Sequence, residues 1–326
     1  MKKYKLMLQL FAGNTQKTTQ DSLSAEMKTF YDKVLIKFAR PNLVHDQFAQ
    51  TKNIPKNGGK TIEFRKYSPL AKATTPLTEG VTPDGQQLTV STITATVAQY
   101  GGFIELSDVL LLTAIDNNLV EAQEILGDQA GRTLDTITRE VLNGGTNVIY
   151  AGGKTARASL AADDKISVSL IKQAVRNLKV NLAKKINGYY VAIIHPDVSY
   201  DLMCDPEWIS ASEYAGSTQL FEGEIGKVHG VRFVETTEAK IWDNAAASSA
   251  KSVYSTLILG SNAYGTTSVE GGGLTSIVKQ LGSAGTADPL NQRATAGWKA
   301  IKTAVRLVET YMVRLETCST YDGAAN

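Results

Sequence analysis

Three histidines (His45, His195, His229), two cysteines (Cys204, Cys318) and a few close carboxylate pairs are the residues here whose types suit catalysis or metal binding. A structural zinc site needs four ligands, usually in short paired spacings. These histidines and cysteines are far apart and form no CxxC, so no zinc site is expected, and the thiols read as reduced and cytoplasmic. His195-Pro196-Asp197 spells the triplet of a chaperone-type J motif, which joins two helices. Here it follows the apolar run Gly188–Ile194, which predicts a strand-to-helix corner with Asp197 near the cap. Gly271-Gly272-Gly273 invites a phosphate-loop reading but lacks the Lys-Ser/Thr pair and the dinucleotide spacing. The pairs Glu121/Glu124, Asp163/Asp164 and Glu222/Glu224 fit solvated surface, with nothing to set one as acid and the other as base. Neither a Gly-x-Ser-x-Gly elbow nor a zinc-protease motif is present. The expectation is a protein with no enzymatic activity, no cofactor and no metal.

Composition points the same way. The 326 residues are 43% hydrophobic and 20% charged, a globular balance with length for about two domains. A net charge of +2 is too small for a chain that holds nucleic acid by its own charge; local excess is confined to Lys2, Lys3, Lys5 and Lys17. No run approaches the ~20 apolar residues of a membrane span. The opening 1–13 has a basic head and an apolar stretch interrupted by Gln9, too short for an export signal.

The elements that would position these residues follow from periodicity. Residues 1–22 read as an extended arm. Ser24 and Glu26 open a helix carrying Met27, Phe30, Tyr31, Val34, Leu35 and Phe38, stopped by Pro41. Residues 58–102 predict a long β-hairpin. One arm is Thr61–Tyr67, the other Gln87–Tyr100, with the turn signal Pro83-Asp84-Gly85 between them and Gly101-Gly102 closing it. Such a ribbon is marginal alone in water, so another copy of the chain is expected to cover it. A short helix runs to about Ile115. Over 117–143, Leu119, Ala122, Leu126, Ala130, Leu134, Ile137 and Val141 predict a helix of ~40 Å. Gly127 and Gly131 on one face predict close approach of another backbone. A small-residue linker, an amphipathic helix over 168–185 with Lys172, Arg176, Lys179, Lys184 and Lys185 outward, and strands at 230–235 and 253–260 follow. Ile301–Thr317 reads as a half-buried strand or bent strand pair, with Lys302, Arg306, Arg314 and Glu316 on the solvent face.

In this order, the elements resemble the Hong Kong 97-type phage major capsid fold, and several stretches resemble its podovirus-like branch. These are Leu8–Ala12, Pro76–Gly85, His195-Pro196, Asp205–Trp208, Gly223–Val231, Leu259–Gly265, and most distinctively Gly282–Arg293 with Gly297-Trp298-Lys299. The resemblance implies an α+β chain divided into an N-terminal arm (1–22), a helix and connector (23–57) and an E-loop hairpin (58–102). A peripheral domain with a spine helix (103–150), an axial α/β domain (151–290) and returning peripheral strands with the C-terminus (291–326) complete it. It also implies hexamers and pentamers closing an icosahedral shell around double-stranded DNA, assembled in the host cytoplasm with a portal and scaffolding or decoration proteins as partners. Lys72, Glu79 and Asp84 of the hairpin are then inter-subunit contact residues. Lys72 has no matching asparagine or activating carboxylate, so no isopeptide crosslink is expected. The rival of the same fold is an encapsulin-like nanocompartment enclosing cargo enzymes.

Overall fold

Alternating and continuous apolar runs become strands, and three-four spacings become helices, in a computed structural model. It describes residues 44–326 apart from 56, 69, 114–117, 210–226, 247–250 and 284–287, together with Leu35 and Phe38. The expected arm, the Ser24 cap and the stop at Pro41 lie outside the described residues. The chain runs through β1 (Gln50–Ile54), β2 (Thr61–Tyr67), β3 (Val90–Thr96), β4 (Ala98–Ser107), α1 (Asp108–Thr113), α2 (Asn118–Asn143), β5 (Val148–Tyr150), α3 (Val168–Val180), β6 (Tyr190–Ile194) and α4 (Pro196–Met203). It continues through β7 (Lys227–Val228), β8 (Val231–Glu235), β9 (Ile241–Ala246), β10 (Lys251–Leu259), β11 (Tyr264–Val269), β12 (Thr275–Lys279), β13 (Arg293–Lys302), β14 (Ala304–Arg306) and β15 (Met312–Thr317).

The largest sheet has seven strands, in the order β5-β15-β10-β6-β8-β7 with β9 also on β10. All five residues of β6 are buried because both faces of the sheet are covered, which explains its unbroken apolar run. On one face α3 brings Ile171, Ala174, Val175 and Leu178 against Ala192, Ile194, Ile258 and Val313. On the other, Ile193, Leu257 and Leu259 meet Leu142, Tyr264 and Met312. Ser167 caps α3 by accepting from the Leu170 amide. The helix stops at Val180, short of the expected 185, because Asn181 leaves helical geometry and Leu182 takes a φ of +56°.

The 26-residue α2 crosses beside a three-stranded sheet of order β12-β13-β4. Ala122, Leu126, Ala130 and Leu134 pack on Ala294, Ala296, Trp298 and Ala300. Small residues on β13 let the helix lie close. A Cβ at Gly127 would sit 2.7 Å from the Leu35 carbonyl, the close backbone approach that its position predicts.

Two further expectations need correction. Gly101-Gly102 does not close the hairpin; the chain runs through both as part of β4, paired with Lys299 and Trp298. A Cβ at Gly101 would meet the Trp298 carbonyl at 2.6 Å and one at Gly102 the Gln129 side chain at 2.7 Å, so crowding and not turning requires glycine. The segment 301–317 is broken into pieces serving three sheets, and its polar face is not solvated. Lys302, Arg314 and Glu316 are buried. Lys302 reaches the Asp46 carboxylate and the Leu134 carbonyl. Glu316 accepts from Arg157 at 2.7 Å twice and from Arg314 at 2.8 Å, and Arg157 stacks 3.5 Å over the Trp242 ring. Arg314 also donates to the Asn143 and Gly145 carbonyls, satisfying the end of α2 and tying it to β15. Opposite charges in register let a face that reads as solvent-exposed be covered.

Candidate assembly surface

The hairpin is built from alternation and anchored only at its root. β2 and β3 pair antiparallel from Thr61↔Thr96 to Tyr67↔Val90. Period two puts Ile62, Phe64 and Ala95 on one face, where they pack with Ile54, Val269, Val305 and Leu307 above the β1-β11-β14 sheet. Beyond Tyr67 the cover ends. Every described residue from 70 to 90 is exposed, including Leu70, Leu77 (77%), Val81 (62%) and Leu88. Local bonds shape the loop: Ser68 N–H to the Thr89 carbonyl at 3.0 Å, Gln86 to the Ala71 carbonyl at 3.2 Å, and Val81 N–H to the Thr78 carbonyl at 3.1 Å. Gly80, at φ +77°, is the left-handed third residue of that last turn, which glycine accepts without a steric cost. Pro83-Asp84-Gly85, the expected turn, has no turn geometry; the turn falls at Glu79-Gly80.

Lys72, Glu79 and Asp84 all lie on this exposed loop, and none forms an ion pair with a described residue of its own chain. The structure does not bring them into one cluster with a reactive partner.

A second open surface is one that sequence reasoning missed. The face of β12-β13-β4 turned away from α2 exposes Phe103 (69%) and Ile277 (38%). Beside it α1, opened by Ser107 accepting from the Leu110 amide, leaves Val109 and Leu112 in solvent. The run Val109-Leu110-Leu111-Leu112 carried this signal, since a helix so apolar with no buried residue wants a partner.

The chemistry-bearing residues are used structurally. His45 is buried and pairs with Asp135 through Nδ1 at 2.6 Å and through its amide at 2.8 Å. His195 is the cap of α4 itself: its Nδ1 accepts from the Asp197 amide at 3.2 Å. Burial pulls its pKa below the usual histidine value, with Asp197 and Glu235 opposing. His229 sits exposed in the tight turn between β7 and β8. Cys204 is exposed, and Cys318 is buried with its thiol pushed up to about 11 by that burial. A cleft of about 700 Å³ at the hairpin root is lined by Lys52, Phe64, Arg65 and Tyr311 with Glu63 as its one carboxylate, so it offers no acid–base pair. Among the described residues no cluster of metal-ligating side chains occurs, and no helix is long and apolar enough to cross a membrane.

A family model described as phage capsid protein matches residues 113–280, more than half of the 326-residue chain. Curated protein sequences give no match. Among solved structures, the capsid of Ralstonia phage GP4 aligns with a TM-score of 0.68 at 15% identity, covering 86% of this chain and 89% of that one. The capsid asymmetric unit of cyanophage Pam1 aligns with a TM-score of 0.68 at 13% identity over 98% of this chain and 100% of that one. A virus-like particle from Pyrococcus furiosus aligns less well, with a TM-score of 0.53 at 10% identity over 89% and 99%. At such identities the structural likeness speaks for the fold, while the sequence match speaks for descent; the chain belongs to the phage capsid protein family and has the Hong Kong 97-type fold of a major capsid protein.

Proposed function

We propose that this subunit forms hexamers and pentamers that close an icosahedral shell around double-stranded phage DNA, with the β2–β3 hairpin, residues 61–96, reaching across a neighbouring copy as its E-loop. The observation that supports this reading is the bare hairpin tip: residues 70–90 expose five large apolar side chains that nothing described in their own subunit covers. Burying a Leu or Val is worth about 1.5–3 kcal/mol each, so a repeated contact of this kind favours assembly. A hairpin that gives to one neighbour while its body receives from another makes a heterologous contact, which closes into rings. In this reading α2 is the spine of a peripheral unit over 103–150, and the seven-stranded sheet centres an axial unit drawn from 151–290 that recruits β15 from the closing segment 291–326. The arm is 1–22 and the connector 23–57. Lys72, Glu79 and Asp84 contact the neighbour, at about 0–1 kcal/mol for each exposed ion pair. No covalent crosslink forms. Assembly takes place in the host cytoplasm, a portal completes the shell, scaffolding or decoration proteins assist, and contact with DNA is non-specific. The role is structural, without catalysis.

Deleting residues 70–86 and imaging the product by electron microscopy tests this. Folded subunits that fail to make closed shells are expected; normal closed particles would overturn the role given to the hairpin. The likeness to a virus-like particle keeps an encapsulin-like shell as second reading. Particles whose absorbance is dominated by nucleic acid support the capsid, and co-purifying cargo enzyme supports the rival.

A further inference from the structure

The outer face of the β12-β13-β4 sheet carries a cleft whose form follows from register. Ile277, Gly297 and Phe103 lie side by side on β12, β13 and β4. A Cβ on Gly297 would stand 2.9 Å from the Phe103 Cβ, so the glycine is the shelf across which Phe103 leans. The resulting cleft holds about 250 Å³, and Gly101, Phe103, Ile277, Thr295, Gly297 and Trp298 are among its lining. Lys299 stands opposite Gly101 and Lys279 opposite Thr295, one on each side of the apolar row. Both lysines are exposed and neither pairs with a described carboxylate. The row of Lys279 and Thr295 ends in Glu105 of β4, half exposed and held 4.0 Å from Arg293, so the surface is an apolar slot flanked by two lysines with that ion pair at one end.

The hairpin tip has the complementary pattern. The Thr78–Val81 turn, with Gly80 at φ +77°, puts exposed Leu77 and Val81 on either side of Glu79, and Asp84 follows. We propose that the tip of a neighbouring copy seats Leu77 and Val81 against Phe103 and Ile277 of this cleft, with Glu79 and Asp84 facing Lys279 and Lys299. This rests on the shell reading above and adds the receiving surface. Charge complementarity selects a second copy, since the same chain carries an acidic apolar loop and a basic apolar slot, each open. Phe103 is the anchor, a large aromatic at the centre of a contact rimmed by charge.

The test reverses the charges on both sides. Lys279→Glu with Lys299→Glu is expected to lower the yield of closed shells at least about tenfold, because like charges facing each other are strongly disfavoured. Circular dichroism of the free subunits should be unchanged. Adding Glu79→Lys and Asp84→Lys to the same chain is expected to restore the shells. In a Cys204→Ser background, Glu79→Cys with Lys279→Cys, which spares the apolar anchor, should give a covalent ladder from oxidised shells on a non-reducing gel. Wild-type shell yield from the double reversal, or no rescue by the fourfold variant together with no ladder, would overturn the proposal. Loss of shells on deletion of 70–86 without that rescue would leave the hairpin working between subunits and place its contact on another surface.

Discussion

The seven-stranded sheet and the hairpin tip are both rich in apolar residues, yet one is finished by its own chain and the other is not. Strand β6 is buried along its whole length by α3 on one side and by Leu142, Tyr264 and Met312 on the other. Between 70 and 90 no described residue is buried. The difference lies in what stands opposite and not in the residues themselves: a Leu in the sheet meets its own subunit, and Leu77 meets solvent until another copy arrives. Core substitutions should therefore act on folding, and tip substitutions on assembly.

The largest effect should come from Glu316, wholly buried between Arg157 and Arg314. Glu316→Ala leaves two guanidinium groups without their shared carboxylate. It should cost about 3–5 kcal/mol, read as a shift in the denaturant midpoint of the free subunit. A change under about 1 kcal/mol would mean that water already reaches this triad. Next comes Gly127→Ala, whose new methyl would lie 2.7 Å from the Leu35 carbonyl. It should destabilise by about 1–3 kcal/mol, measured in the same unfolding experiment, as the segment bearing Leu35 is pushed off α2.

The tip sharpens the contrast from the other side. Leu77→Ser with Val81→Ser should move subunit stability by no more than about 0.5 kcal/mol while closed shells disappear from the sedimentation profile. A folding defect equal to that of Gly127→Ala would break the comparison, since it would give the tip a partner within its own subunit. The smallest effect is expected from pH. Burial holds His195 below its ordinary value of 6.5, so the fold favours the neutral ring. Its contribution is present above that value and is lost as pH falls through the lower folded-state pKa. His195→Asn keeps a capping side chain. It should flatten the part of the melting-temperature decline below about pH 6.5 that belongs to this group. An unchanged pH profile would assign that decline elsewhere.

What the sequence makes legible is local. The steps from Leu119 to Val141 fix α2 because three-four spacing specifies a helix face without reference to the rest of the chain. Alternation in Thr61–Tyr67 and the apolar run before His195 give β2 and β6 for the same reason. Long-range pairing is what defeats it. Lys302, Arg314 and Glu316 alternate with apolar neighbours and read as solvated, yet Asp46, Asn143 and Arg157 from distant segments cover them. Gly101-Gly102 reads as punctuation because glycine usually marks a turn, whereas here Trp298 and Gln129 crowd the strand. The exposure of Lys72, Glu79 and Asp84 could be anticipated from a Pro/Thr/Gly-rich loop. The cleft beside Phe103 could not, because it exists only once β12, β13 and β4 are in register.

Hydrogen exchange on free subunits and on assembled shells compares the two regions in one experiment. The amides of β6 and β10 should be protected in both, whereas those of 70–90 should exchange freely in subunits and become protected in shells. Equal, rapid exchange of 70–90 in both states would contradict the account, because the tip would then have no cover even in the closed shell.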